Sequence, residues 1–148
     1  MELEPQQQLE IVFKRQESLY EVGARNFIFV NVPPTDRSPM AINMGREYAD
    51  LRARILEWNV KLTEFANVFR ESHPGVIVAV YDVAALFTAV LDNPTKYEFK
   101  DGVSVGNSID CVWEDWFHPT SAMHMIIAED MAKFLTALEG KGIKGEQH

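Results

Sequence analysis

From Met44 onward the apolar positions run Met44, Tyr48, Leu51, Ile55, Trp58, Leu62, Phe65 and Phe69, in alternating steps of four and three. That spacing stacks the side chains in one stripe and predicts a single long helix. The stripe has the seam geometry of a coiled coil as well as that of a helix lying on a sheet. Bulky aromatics along it suit the sheet better. Upstream, Asn26 through Val32 is apolar at both alternating sets of positions and ends at Pro33-Pro34, as expected of a strand buried on both faces. Downstream, His73-Pro74-Gly75 turns the chain into Val76 through Tyr81, a second stretch with the same signature. Strand, helix and strand in this order predict a right-handed parallel crossover.

The flanking segments extend the pattern. Leu9, Val12, Phe13, Gln16, Leu19 and Tyr20 follow helical spacing and stop at Gly23, a natural terminator. Pro33 through Gly45, with Thr35, Asp36 and Ser38 among its prolines, reads as a loop at the carboxyl end of the first strand, where α/β folds place ligands. Val83, Leu86, Phe87, Val90 and Leu91 predict a helix capped by Asp82 and closed at Asn93-Pro94. Residues 93 to 114 show no clear period and read as a long polar connection. A last helix is expected to start near Pro119, bury Met123, Ile127, Met131, Phe134 and Leu138, and end at Gly140. Residues 140–148 read as a disordered tail, and there are no internal repeats.

With 47% hydrophobic and 24% charged residues, the 148-residue chain reads as a single soluble globular domain. The formal net charge of -8 argues against nucleic acid as a partner. Between positions 92 and 130, eight acids face only Lys96 and Lys100, so that region should suit a neutral ligand better than an anionic one. The single Cys111 excludes an internal disulfide and reads as an inert thiol. The opening MELEPQQQLE is not a signal peptide, and no apolar run approaches the roughly 20 residues of a membrane-spanning helix.

The segment Asp115-Trp116-Phe117-His118-Pro119-Thr120 carries the candidate chemistry. A carboxylate three residues before a histidine is close enough to accept from one imidazole nitrogen, which leaves the other free to take a proton from a hydroxyl. A surface aspartate beside a helix-capping histidine has the same sequence pattern. A metal site is less well supported, because no second histidine follows at the fourth position. Trp113, Trp116 and Phe117 around the pair form either a ligand-stacking wall or packing beneath the loop.

The surroundings sharpen this. The stretches GARNFIFVNVPPTDRSP at 23 to 39, WN at 58 and 59, HPGVIVAVYDV at 73 to 83, VLDNPTKYEF at 90 to 99 and VWEDWFHPTSAMHMIIAEDM at 112 to 131 occur in order. Over roughly residues 10 to 138 the chain resembles the C-terminal half of GDSL-type (SGNH) hydrolases, and is most similar to the fungal acetylesterase group of carbohydrate esterase family 16. The resemblance implies a flavodoxin-like α/β fold, here a partial three-layer parallel sheet with flanking helices in a single, incomplete domain spanning 1–148. It implies that Asp115 and His118 are the triad Asp and His, that Asn31 is a structural strand-end residue, that no cofactor is needed, and that full-length relatives are secreted.

Two departures stand out. No Gly-Asp-Ser or Gly-x-Asn-Asp segment occurs in the 148 residues, so neither the nucleophile nor the oxyanion donors of the family have counterparts here. Glu98 stands where the resemblance leads one to expect glycine. Ser38 and Ser121 are the candidate replacement nucleophiles, although Ser121 is better placed to cap the last helix. Two functions are therefore expected. One is an ester hydrolase acting on a small-molecule ester or acetylated carbohydrate, of which this chain bears the Asp-His half. The other is an inactive, truncated, oligomeric binding protein. In the architecture that the resemblance implies, the central strands come from an N-terminal half and their absence would leave the first strand with an unpaired apolar edge. That edge points to a homo-oligomer or to complementation by that half, which would also carry any export signal.

Overall fold

In the computed structural model, which describes residues 4–48 and 50–142, two parallel strands lie under a pair of helices, and a second, shorter strand pair supports the last helix. Helix α1 (Pro5–Glu21) precedes strand β1 (Asn26–Val30). The short helix α2 (Pro39–Met44) and the long helix α3 (Leu51–Ser72) lead to strand β2 (Ile77–Tyr81) and helix α4 (Val83–Asp92). Strands β3 (Asp101–Val105) and β4 (Cys111–Trp113) precede helix α5 (Ser121–Gly142). Strand β1 pairs in parallel with β2, Phe27 opposite Val78 and Phe29 opposite Val80, which is the strand, helix, strand unit predicted from the sequence.

The alternation of side chains along a strand divides this sheet into two unlike faces. Phe27 and Val78 are buried and, with half-buried Phe29 and Val80, pack against Leu9 and Phe13 of α1 and Leu62, Ala66 and Phe69 of α3. The Phe69 ring meets Phe27 at 5.0 Å and Phe13 at 5.9 Å, so truncating Phe69 would cost about 3–5 kcal/mol. This settles the stripe of α3 as a sheet-packing face. The opposite face corrects the expectation of two-sided burial: Ile28, Val30 and Ile77 remain 37%, 47% and 47% exposed. Tyr81 alone of the large side chains there is fully covered, its ring 5.3 Å from Phe134 and its hydroxyl donating to Asp130 at 2.9 Å. Burial, reinforced by the Asp130 carboxylate, pushes the Tyr81 phenol up to about 12.

Two asparagines hold the carboxyl ends of the strands. Asn31 donates to Asp82 at 2.7 Å and accepts from the Ala84 amide, while Asp82 accepts from the Ala85 amide as the cap of α4. Asn59, from the middle of α3, accepts from the Val32 amide and donates to the Val32 carbonyl, both at 2.8 Å. Each such bond contributes about 1 kcal/mol, and an amide left unpaired there costs about 1–3 kcal/mol. At the other end of α3, His73 bonds the Phe69 carbonyl through Nδ1 and Glu17 through Nε2, each at 2.7 Å. The Phe69 carbonyl, helped by Glu17, raises the His73 pKa, so this tie between α1 and α3 is complete below 6.5 and is lost as pH rises through the elevated midpoint.

Several elements depart from the pattern reading. The helix predicted from Met44 is interrupted, because Ser38 caps a separate α2 and Gly45, at φ +56, ends it before α3 begins. Leu19 is 48% exposed on α1. The connection at 93 to 114 contains a 3-10 turn and strands β3 and β4. Pro119 is not the first residue of α5; it forms an antiparallel bridge with Trp113, and Thr120 caps the helix. Gly140 lies within α5, which runs to Gly142, so the first residues of the tail expected at 140–148 are helical, and 143–148 lie outside the described residues.

Glu98 adopts φ 66 and ψ 15 at the end of the turn Pro94–Tyr97, where its amide donates to the Thr95 carbonyl. A side chain in this left-handed conformation is strained and glycine is not, which gives the expected glycine a physical reason. Relief of that strain competes with the extra freedom glycine gives the unfolded chain. Glu98→Gly should therefore be neutral to stabilising by up to about 1 kcal/mol in urea unfolding. A loss of more than about 1 kcal/mol would mean that the Glu98 side chain makes a stabilising contact.

Candidate active site

The loop Glu114 to His118 is closed at its base before any side chain enters it. Trp113 bridges Pro119, the Thr120 amide donates to the Val112 carbonyl at 2.9 Å, and the Glu114 amide donates to the His118 carbonyl at 2.9 Å. Beneath it, the buried Thr120 hydroxyl donates to the Cys111 carbonyl at 2.8 Å and accepts from the Met123 amide. Cys111, Val112 and Trp113 are buried, which makes β4 a fixed floor.

Asp115 organises the loop above that floor. Its Oδ1 accepts from the Phe117 and His118 amides, each at 2.7 Å, and its Oδ2 accepts from His118 Nδ1 at 2.8 Å. The carboxylate offers no proton, so Nδ1 carries the hydrogen and Nε2 presents its lone pair outward. Nε2 has no partner among the described residues, and the His118 and Asp115 side chains are 73% and 54% exposed. The two amides, that of His118 foremost, together with the His118 ring hold the Asp115 carboxyl down at about 2. The structure thus brings together the two residues that the sequence singled out, in the geometry a general base requires.

The other candidates divide. Trp116 is 56% exposed and Phe117 half-buried, with the Phe117 ring edge-on to His118 at 5.8 Å. Trp113 is corrected as a ligand-wall residue: it is 2% exposed, packs with Phe87 and donates from its indole to the Gly102 carbonyl at 2.8 Å. Ser38 is fully buried and its hydroxyl accepts from the Ala41 amide, so it is not presented as a nucleophile. Ser121 is exposed and follows the capping Thr120, which has the role expected of Ser121.

A second Ser-His-acid grouping, Ser72, His73 and Glu17, went unseen in the sequence because Glu17 is remote along the chain. It does not constitute a base. Both His73 nitrogens face acceptors, and the Ser72 hydroxyl donates to the Val68 carbonyl at 2.7 Å. A groove of about 900 Å³ runs beside the candidate loop, bordered by Glu98, Ile109, Glu114, Met125 and Glu129, and neither Asp115 nor His118 lines it. Among the described residues, no three His, Cys, Asp or Glu side chains converge as a metal ligand set.

Comparison with known proteins identifies the family. The model of the GDSL-like Lipase/Acylhydrolase family matches residues 4–131, nearly the whole described chain. The chain belongs to this family. It is 30% identical over 133 residues to an acetylesterase of Thermothelomyces thermophilus, covering 86% of this chain and 43% of that protein. A thermolabile hemolysin of Vibrio parahaemolyticus is 24% identical over 138 residues, covering 76% of this chain and 32% of the relative. A GDSL esterase/lipase of Arabidopsis thaliana is 25% identical over 138 residues, with 76% and 39% covered. The chain therefore spans less than half the length of each of these relatives. Its mixed α/β architecture, with short parallel strand pairs and flanking helices, fits a GDSL fragment.

The Asp115 geometry has a direct consequence in acid. Its folded pKa is depressed, so the contribution of the ionised carboxylate to the loop is full above the ordinary 3.8 and is lost as pH falls through about 2. Carboxyl-carbon NMR should find Asp115 still ionised at about pH 3, where an ordinary aspartate is mostly protonated. A midpoint at the ordinary value would show that the two amides and the ring do not converge on it in solution.

Proposed function

We propose that this chain carries the base half of an ester hydrolase acting on acetyl or other short acyl esters, with acetylated carbohydrate as the substrate class. The observation that carries the reading is the 2.8 Å contact between Asp115 Oδ2 and His118 Nδ1, which leaves Nε2 free on an open surface. Membership of the acylhydrolase family and the similarity to an acetylesterase support the ester and the short acyl group. Exposed Trp116, with Phe117, offers an aromatic face on which a sugar ring can stack.

In this mechanism His118 Nε2 removes the proton of a serine hydroxyl as its oxygen attacks the acyl carbon, and Asp115 holds the ring and stabilises the imidazolium that forms. The same nitrogen then returns the proton to the departing alkoxide. A water, deprotonated in the same way, releases the acyl group as the acid. Serine and oxyanion donors are supplied from outside these 148 residues, by the block that opens the family domain.

Nitrophenyl acetate hydrolysis tests this in two steps. The 148-residue protein should cleave within about tenfold of its His118→Ala variant, since the positioned base lacks its nucleophile. Joined to the serine-bearing block of the similar acetylesterase, it should gain activity that falls about 10³- to 10⁴-fold on His118→Ala or Asp115→Asn. A folded fusion indifferent to either substitution would overturn the reading.

A non-catalytic, oligomeric binding role is the second reading, and the half-exposed Ile28, Val30 and Ile77 favour it. Among the described residues β1 pairs only with β2, so its outer edge is open to another chain. Light scattering at low micromolar concentration should then report a mass above the 16.9 kDa of one chain. A monodisperse monomer would rule out assembly through this edge.

A further inference from the structure

The sequence offered Ser38 as a replacement nucleophile, and its burial assigns it a different task. Helix α2 is only six residues long, too short to hold itself together, so its first turn depends on what satisfies its free amides. Pro39 has none to satisfy. The Ala41 amide donates to the Ser38 hydroxyl at 3.2 Å, and the Ile42 amide donates to the Ser38 carbonyl at 3.0 Å. One amide of the turn remains, that of Met40, and it donates to the Trp116 carbonyl at 2.8 Å.

Trp116 stands at the middle of the loop that carries Asp115 and His118. Its carbonyl shares a peptide unit with the Phe117 amide, which donates to Asp115 Oδ1 at 2.7 Å. A peptide unit is planar, and in its trans form the carbonyl and the N–H point in opposite directions. Fixing the Trp116 oxygen on Met40 therefore aims the Phe117 N–H at the carboxylate, and the carboxylate in turn aims His118.

We propose that Ser38 is a positioning residue for Asp115 and His118: its buried hydroxyl caps the short helix whose Met40 amide anchors the Trp116–Phe117 peptide of the catalytic loop. The loop that follows β1 thus reaches the reaction centre as a brace and not as a source of nucleophile. This inference rests on the reading of Asp115 and His118 as a catalytic pair, but its test reads loop geometry and not turnover, so the two can fail separately.

Hydrogen exchange of the 148-residue protein gives the first measurement. The Met40 amide should be protected in the unsubstituted protein, although a second-position helix amide has no partner within its own helix. Exchange as fast as that of exposed amides would overturn the proposal without any variant being made. In Ser38→Ala, the Phe117 and His118 amides should exchange about tenfold faster while those of β1 and β2 are unchanged, the loss expected of a missing cap. The Asp115 midpoint should rise from about 2 toward 3.8 in that variant, and Ser38→Thr should restore both readouts. Uniform acceleration across the protein, or an unmoved Asp115 midpoint in folded Ser38→Ala, would reduce Ser38 to a stabilising cap.

Discussion

Thr120 uses its hydroxyl twice, donating to the Cys111 carbonyl in β4 and accepting from the Met123 amide in α5. That pair of bonds joins a buried strand to a helix N-terminus across one residue and leaves the chain between them little room. The Trp113–Pro119 bridge then closes the loop from Glu114 to His118. Within a loop so short, Asp115 can gather two backbone amides and one imidazole on a single carboxylate, and an exposed histidine acquires a defined tautomer. An exposed ion pair by itself contributes little, since solvent screens it and side-chain entropy opposes it. Here the geometry comes from the backbone below, so the pair need not supply its own order.

The same economy of short links recurs at the carboxyl ends of the strands. Asn31 satisfies a free amide in the first turn of α4 and Asn59 satisfies both backbone groups of Val32, and together they attach α4 and α3 to the end of β1. The chain leaving this clamp turns through Pro33 and Pro34 into α2, whose Met40 amide meets the Trp116 carbonyl. At the candidate site the segment that follows β1 thus meets the loop that follows β4, each on the carboxyl side of its strand, where α/β sheets present their ligand-binding loops.

One face of the β1–β2 sheet is a closed aromatic and aliphatic core under α1 and α3, while the other keeps Ile28, Val30 and Ile77 half-exposed. The dyad is just as open. In the curated relatives the matched segment is less than half of the protein. On the proposed reading, the open sheet face and the exposed Asp115–His118 pair have the same simple origin if both are covered by other polypeptide.

How much of this was legible in the sequence follows from the range of each interaction. Helical stripes, the two strands of the crossover, the Asp82 cap and the Asp115–His118 pair rest on periodicity or on contacts within a few residues, and the sequence by itself determined them. Family membership was legible for the same reason, because its motifs are local. Glu98 was visible as a departure, but its left-handed backbone had to be seen before the expected glycine made sense. What only the tertiary structure decided depends on groups far apart in the chain. Trp113 looked like a neighbour of the site until Gly102 and Phe87 placed it in the core. Ser38 looked like a candidate nucleophile until its burial and the bond from Met40 to Trp116 showed what it supports. The face of a strand that stays open, like the partner of a buried hydroxyl, is set by what packs across from it, and one-dimensional spacing carries no record of that.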